Sequence, residues 1–444
     1  MSNTTRRLKA SVAMVAIALQ LAAQVGPAAA FCGFYVAQAD SKLFNKSSKV
    51  VLARAGNTTA ITMASDYEGE PREFALVIPV PTFIERKQIG VVDMKTVDHL
   101  DAYTAPRLVE YFDEDPCAPM VAAHSLTAGL RYRAAPAPPR TAYQVASHGV
   151  TIEASYDVAE YDVLILSAKE SDGLARWLSE NGYKTPPGAA EVLASYIKQN
   201  MRFFVAKVNL DRMKSIGRGY LRPLQVRYDS PKFMLPLRLG TVNANGPQDM
   251  VVLALSRTGR VETTNYRTVK VPSDVDVPLY VKGEFGKFYK AAFDQVVREQ
   301  DMRAVFTEYA WDMSWCDPCA GQPMTGRELV ELGARWIGSD ANTPYSFGNG
   351  GNLFVTRLHV RYDAAHFPED LALMETRDRE TFQARYVLHH PWRGTASCSR
   401  AAEYRSGLQA RFKDEARNLA DLTGWPMREI TQRMSTSGQP VWPK

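Results

Sequence analysis

Net charge is what this sequence has least of. Its 53 Lys and Arg face 48 Asp and Glu over 444 residues, a formal +5. Three of those bases, Arg6, Arg7 and Lys9, lie in a first thirty residues that hold no acid, which leaves the rest at 50 bases against 48 acids. So even a balance gives no electrostatic case for nucleic acid or an anionic membrane as partner. Long apolar runs are also missing beyond residue 30. No stretch reaches eighteen apolar residues, so no membrane span is expected in the mature chain. No Gly-x-Ser-x-Gly occurs. The glycine-rich Gly348-Asn349-Gly350-Gly351 lacks Gly-Lys-Ser/Thr and leads into a strand, so it is no phosphate loop. Cysteine is scarce, at five residues, and a zinc site would need a second Cys-x-x-Cys or a His-x₃-His that the chain does not contain.

What is present is an ordinary globular composition, 45% hydrophobic and 23% charged, long enough for two or three domains. Residues 1–30 read as a signal peptide. A basic start precedes an apolar run from Ala10 to Ala23, Gly26-Pro27 breaks the helix, and Ala28-Ala29-Ala30 offers a cleavage site near Ala30. All five cysteines fall beyond it, in an oxidising setting. Cys32 and Cys117 bracket the first segment, and a staple there would stabilise by about 4 kcal/mol in the chain-entropy model. Cys316 and Cys319 form a Cys-x-x-Cys. Cys398 is the odd one, either free or paired with Cys316 or Cys319, and spacing does not fix the connectivity.

The alternation of apolar and polar residues sets the expected elements. Strands are expected at Val50–Arg54, Ala60–Ser65 and Glu73–Val80, and a helix near Pro106–Phe112. Three prolines within Pro136-Ala137-Pro138-Pro139 mark 131–148 as a linker after an N-terminal β-rich domain, 31–130. A central α+β domain, 149–275, opens with strands at Val150–Ala154 and Tyr161–Ser167. Helices follow near Asp172–Glu180 and from Pro187, then strands at Arg202–Leu210, Leu224–Tyr228, Phe233–Leu239, Met250–Ser256 and Arg260–Val271. A C-terminal α+β domain, 276–444, begins with the clearest amphipathic helix. Phe285, Phe288, Tyr289, Ala292, Phe293, Val296 and Val297 recur at helical spacing, a core stripe and not a cofactor box. Thr325-Gly326-Arg327-Glu328 is a capping box. Strands are expected at Leu353–Tyr362, Leu371–Glu375 and Phe382–His389, a last helix at Ala401–Leu422, and a loose tail from Ser435.

One unit repeats. Leu224-Gln225-Val226-Arg227-Tyr228-Asp229 matches Leu358-His359-Val360-Arg361-Tyr362-Asp363, and Phe233 and Phe367 each follow the aspartate by four residues. Tyr156-Asp157 with Tyr161 is a shorter version. A strand ending on tyrosine, an aspartate capping the turn and an aromatic on the returning strand describe a hairpin. The expected fold class is therefore α+β, with antiparallel sheets built from repeated hairpins and amphipathic helices packed on them.

Trp315-Cys316-Asp317-Pro318-Cys319 resembles the thioredoxin Trp-Cys-x-Pro-Cys motif. In such a site a helix N-terminus activates the first thiol, and the second resolves the mixed disulfide. Here Ala320-Gly321-Gln322-Pro323 follows directly and opposes that helix. The bland reading, a structural disulfide, is preferred. His389-His390 at a strand end reads as surface or capping, and no metal or cofactor is implied.

FCGFYVAQAD from Phe31, TAPRLVEYFDEDPC from Thr104, GYLRPLQVRYDSPKFMLPLRLGTVNA from Gly219, GRVETTNYRTV from Gly259, CDPC from Cys316 and ETRDRETFQARYVLHHPW from Glu375 together resemble the bacterial exported family of unknown function DUF2330. The resemblance runs from about Phe31 to Trp425. It implies an extracytoplasmic protein and carries over no catalytic residue. The function expected is a non-catalytic binding or structural module of the periplasm or cell envelope, with an envelope protein or ligand as its partner. The alternative is a thiol–disulfide oxidoreductase using Cys316 and Cys319.

Overall fold

A computed structural model describes residues 28–29, 34–37, 44–68, 74–118, 149–181, 185, 187–215, 221–242, 246–315, 317, 321–338, 342–345, 352–395 and 398–441. The other residues of the expected signal peptide, and the expected linker 131–148, lie outside them. Strands and helices are numbered in chain order.

The architecture is mixed α+β. Its centre is a ten-stranded sheet in the order β15 (Arg267–Lys270), β17 (Ala304–Asp312), β18 (Phe354–Tyr362), β13 (Gln248–Ser256), β3 (Phe44–Ala55), β4 (Thr58–Glu68), β11 (Leu224–Asp229) and β6 (Ile89–Val91). β1 (Ala28–Ala29) joins it on β13 and β20 (Phe382–Gln383) on β17. β3 and β4 form a two-residue hairpin. Gly56 takes φ +59° at its first turn position, where a glycine meets no steric penalty.

A second sheet of five strands lies in the order β2 (Phe34–Ala37), β5 (Phe74–Val80), β10 (Arg202–Val208), β9 (Tyr161–Ala168) and β8 (Val150–Val158). The two sheets share one core. Val50, Leu52, Val226 and Val252 from the first meet Ile78, Val163, Ile165 and Phe204 from the second. The run Met250 to Leu255 needs no polar alternation, because β13 is covered on both faces. Met250, Val252 and Ala254 enter the inter-sheet core, and Leu253 and Leu255 enter a second core with helix α1 (Met94–Thr104). Helices α2 (Ser171–Glu180) and α3 (Ala189–Lys198) pack Leu174, Trp177, Leu178, Leu193 and Tyr196 on the outer face of the five-stranded sheet.

Two small sheets close the structure. β12 (Met234–Leu235), β19 (Leu371–Glu375) and β14 (Val261–Thr263) bring Leu235, Leu371, Leu373 and Val261 to the inter-sheet core. β16 (Val275–Asp276), β21 (Arg385–His390) and β7 (Arg107–Phe112) pack with α6 (Phe285–Glu299), α8 (Ser399–Thr423) and α9 (Met427–Thr436). Two short helices, α4 (Leu210–Ser215) and α5 (Arg238–Val242), follow β10 and β12, and α7 (Gly326–Glu331) opens on the expected Thr325 capping box.

Several expectations change. Residues Pro106–Phe112 were expected as helix, but the last six form β7, paired in parallel with β21; the helix lies earlier, as α1, capped by Asp93. The expected strand Phe233–Leu239 stops at Leu235 and turns into α5, because Pro236 offers no N–H to extend a ladder. Arg260–Val271 divides into β14 and β15, which belong to different sheets. The tail expected to be loose from Ser435 runs on in α9, and Gln439 beyond it bonds to Glu415. The sheets are not purely antiparallel either. β13 with β3, β15 with β17, and β21 with β7 and β16 are parallel pairs. The ten-stranded sheet takes strands from residues on both sides of each proposed domain limit, from 28–91, 224–270 and 304–383.

Candidate binding cleft

The repeated unit leads to the site. In β11 and β18 the matching Leu, Val and Tyr side chains (Leu224, Val226 and Tyr228; Leu358, Val360 and Tyr362) all enter the inter-sheet core. Asp363 accepts two backbone bonds in the turn after β18. Its Oδ1 accepts from Ala365 N and His366 N, at 2.9 Å each, and Phe367 N donates to the Asp363 carbonyl. Asp229 ends β11 opposite Thr58. Of the three copies, one lies in a two-stranded hairpin. Tyr156 and Asp157 lie in β8, which folds directly back on β9 through Ala159 and Glu160. After Tyr228-Asp229 and Tyr362-Asp363 the chain leaves the large sheet. The two returning segments pair with each other, Met234 with Ala372 and Leu235 with Leu371. The physical reason is that β11 and β18 already have neighbours on both sides, β4 and β6 for one, β13 and β17 for the other. No edge is left for a hairpin partner.

Where the two returning segments meet there is a cavity of about 440 Å³. Phe233, Met234 and Ala372 form its apolar side, Leu371 and Leu373 border it with their side chains in the inter-sheet core, and Lys232, Arg238, Glu369 and Asp370 bring charge of both signs. Asp370 is the best-held of these. Its Oδ1 accepts from the Tyr196 hydroxyl at 2.7 Å, from Leu237 N at 2.9 Å and from Arg238 N at 3.1 Å. Burial pushes its carboxyl above the usual range, and those three donors only partly oppose the shift. Its neighbourhood is fixed by Asn265, whose amide donates to the Asp370 carbonyl and accepts from Ala372 N. Lys232 Nζ donates to Gln199 Oε1 at 3.1 Å, and Arg238 Nη1 to Ser195 Oγ at 2.7 Å. Both cations therefore rest on neutral partners at the C-terminal end of α3.

A second polar assembly is built around a buried carboxylate. A register shift between Thr307 and Tyr309, where β17 pairs β18, leaves Glu308 as the extra residue of a bulge. Its carboxylate receives Arg357 Nε at 2.6 Å, His359 Nδ1 at 2.6 Å and the Tyr289 hydroxyl at 2.5 Å. Arg357 continues to Asp101, and Asp101 to Lys49 at 2.7 Å. Burial alone would raise the Glu308 carboxyl. The charges of His359 and Arg357, with the bonds from His359 and Tyr289, outweigh it and hold the group at about 2. The His359 ring stacks flat on Phe293, 3.7 Å between centroids. With every acceptor satisfied and α6 lying over it, this network joins α1 and α6 to the sheet.

Cys32, Cys316 and Cys319 lie outside the described residues. Asp317, between the last two, is buried. Its Oδ2 accepts from the Tyr309 hydroxyl at 2.9 Å and from Gln383 Nε2 at 2.7 Å. Residues 321–324 are not helical and the next helix, α7, opens at Gly326. A helix N-terminus of the thioredoxin kind therefore does not follow the Cys-x-x-Cys. The disulfide that is described joins Cys117 to Cys398. It corrects both pairings weighed from spacing, Cys32 with Cys117 and Cys398 with Cys316 or Cys319. The parallel pairing of β7 with β21 carries the chain ends after Phe112 and His390 side by side, which brings the two cysteines within reach. Among the described residues no group of His, Cys, Asp and Glu is arranged to hold a metal ion, and no helix is long and apolar enough to cross a membrane.

A family match covers residues 26–374, most of the chain, including the repeated unit and the cleft. The chain belongs to the DUF2330 family. That family is described as an uncharacterized protein conserved in bacteria. The DUF2330 match ends just before Glu375, so the string from Glu375 to Trp392 and helices α8 and α9 fall beyond it, and the resemblance drawn as far as Trp425 is shortened accordingly. No curated protein and no solved structure matches the chain.

No sequence motif announced the cleft. Lys232 and Glu369-Asp370 follow the repeated aspartates by three and by six to seven residues, and the repeat was the one signal that pointed there.

Proposed function

We propose that this DUF2330 protein is an exported, non-catalytic binding module of the periplasm or cell envelope, and that the cleft beside Asp370 is its ligand site. The observation that carries this reading is a preformed cavity of about 440 Å³ with an apolar side and charged groups that bond mainly to neutral partners. That size falls within the range of about 300–1,000 Å³ usual for small-molecule sites. Export is supported by the basic and apolar N-terminal pattern, by a family match that begins at Gly26, and by the Cys117–Cys398 disulfide.

The test is a thermal-shift screen of polar and amphipathic small molecules against the full chain and against Ala372→Trp. Ala372 lines the cavity without belonging to the core, so an indole there occupies the space and leaves the fold in place. A ligand that raises Tm in the natural protein but not in the filled variant supports the reading. Equal shifts in both, or no shift with any compound, overturn it.

A further inference from the structure

The cleft brings charges of both signs together without a direct side-chain ion pair among its four charged residues, although the Arg238 charge reaches Asp370. Among the described residues, neither Lys232 nor Arg238 makes an ion pair with Glu369 or Asp370, although all four line the same cavity. The two bases sit toward α3, on Gln199 and Ser195. The two acids are consecutive residues just before β19. Asp370 gives three hydrogen bonds' worth of acceptor capacity through Oδ1 alone, while its Oδ2 takes no hydrogen bond among the described residues. Phe233, Met234, Leu371 and Leu373 lie alongside.

We propose that the cleft binds a small zwitterion of the α-amino acid class with an apolar side chain. The ligand carboxylate meets Lys232 and Arg238, its ammonium meets Asp370 Oδ2 and Glu369, and its side chain lies beside Phe233 and Met234. This rests on the binding reading above. The physical argument is one of completeness. A simple carboxylate engages Lys232 and Arg238 and leaves Asp370 Oδ2 without an added donor; a simple amine does the reverse. Each bond to a charged group that a ligand forgoes is expected to cost about 1.5–3 kcal/mol, or roughly tenfold to a hundredfold in affinity. Only a ligand with both charges and an apolar body uses every group the cleft presents.

Isothermal titration calorimetry on the full chain with L-leucine and L-phenylalanine tests this, against N-acetyl-leucine, which lacks the ammonium, and leucinamide, which lacks the carboxylate. Each blocked compound is expected to bind at least tenfold more weakly than leucine. Asp370→Asn keeps an Oδ1 that accepts from Tyr196, Leu237 and Arg238, so the fold is retained. In it the preference for leucine over N-acetyl-leucine should vanish. Lys232→Ala should remove the preference for leucine over leucinamide. If N-acetyl-leucine or leucinamide binds the natural protein as tightly as leucine, the zwitterion is wrong. If no amino acid binds while a screened compound still loses its thermal shift in Ala372→Trp, the zwitterion falls and the cleft stands. If no compound of either kind depends on the cleft, both readings fall.

Discussion

Two buried carboxylates, Glu308 and Glu415, show how differently one residue type behaves in this protein. Glu308 is surrounded by Arg357, His359 and Tyr289 and is held at about 2. Its folded value lies below its unfolded one, so its contribution to stability is complete above about pH 4.5 and is lost as pH falls through about 2. Glu308→Ala leaves Arg357 buried beside a cavity and is expected to cost about 3–5 kcal/mol in urea unfolding at pH 7. Glu415 has the opposite balance. Burial pushes its carboxyl up to about 8, and Arg411 and the Gln439 amide, 2.7 Å away, offset this only in part. Its folded value lies above its unfolded one, so stability is fully present below about pH 4.5 and declines as pH rises through about 8. Urea unfolding at pH 6 and pH 9 should show natural protein losing more stability than Glu415→Gln over that interval. Parallel curves for the two proteins would remove the assignment. Neither behaviour was legible in the sequence, where both residues are single glutamates with no motif around them; the β-bulge that aims Glu308 inward is a tertiary event.

At the scale of elements, the repeat has a geometry that the alternation of residues does not state. The end of β11 lies opposite the start of β4 (Asp229 with Thr58), and the end of β18 lies opposite the start of β13 (Tyr362 with Gln248). Between the two pairs runs β3, antiparallel to β4 and parallel to β13. A two-fold axis through β3 requires those directions, and the antiparallel pairing of β12 with β19 obeys the same axis. The cleft therefore forms where two related segments meet. Close contact is needed elsewhere too. Gly333 follows α7 at φ +106°, and a Cβ there would lie 2.6 Å from that of Ala60 on β4. Gly333→Ala is expected to lower stability by about 1–3 kcal/mol through strain and overpacking, read as a fall in the urea midpoint. The Cys117–Cys398 bond closes a separation of 281 residues and ties the end of β7 to the start of α8. Its loss in Cys117→Ser with Cys398→Ser should cost about 2–5 kcal/mol, visible as a lower Tm in non-reducing buffer and as no difference from the natural protein once both are reduced.

For the whole molecule, the order of layers explains which expectations held. Strands such as β13 and β18 and the stripe of α6 were legible because burial on one or two sides leaves its mark in the chain, as a period in α6 and as a nearly continuous apolar run in β13. Residues 107–112 were misread because Leu108, Val109 and Phe112 fit a helical face as well as a short strand, and only the β21 neighbour decides between them. The α+β class, most element positions, the repeated Leu-x-Val-Arg-Tyr-Asp unit and the family were all readable from residue order. The tertiary structure alone decided that β12 and β19 pair with each other, that Cys117 meets Cys398, and that Lys232, Arg238, Glu369 and Asp370 surround one cavity. The reason is one of range: local periods record which face of an element is buried, whereas partners more than a hundred residues apart are chosen by which sheet edges and faces remain open once the large sheet has formed.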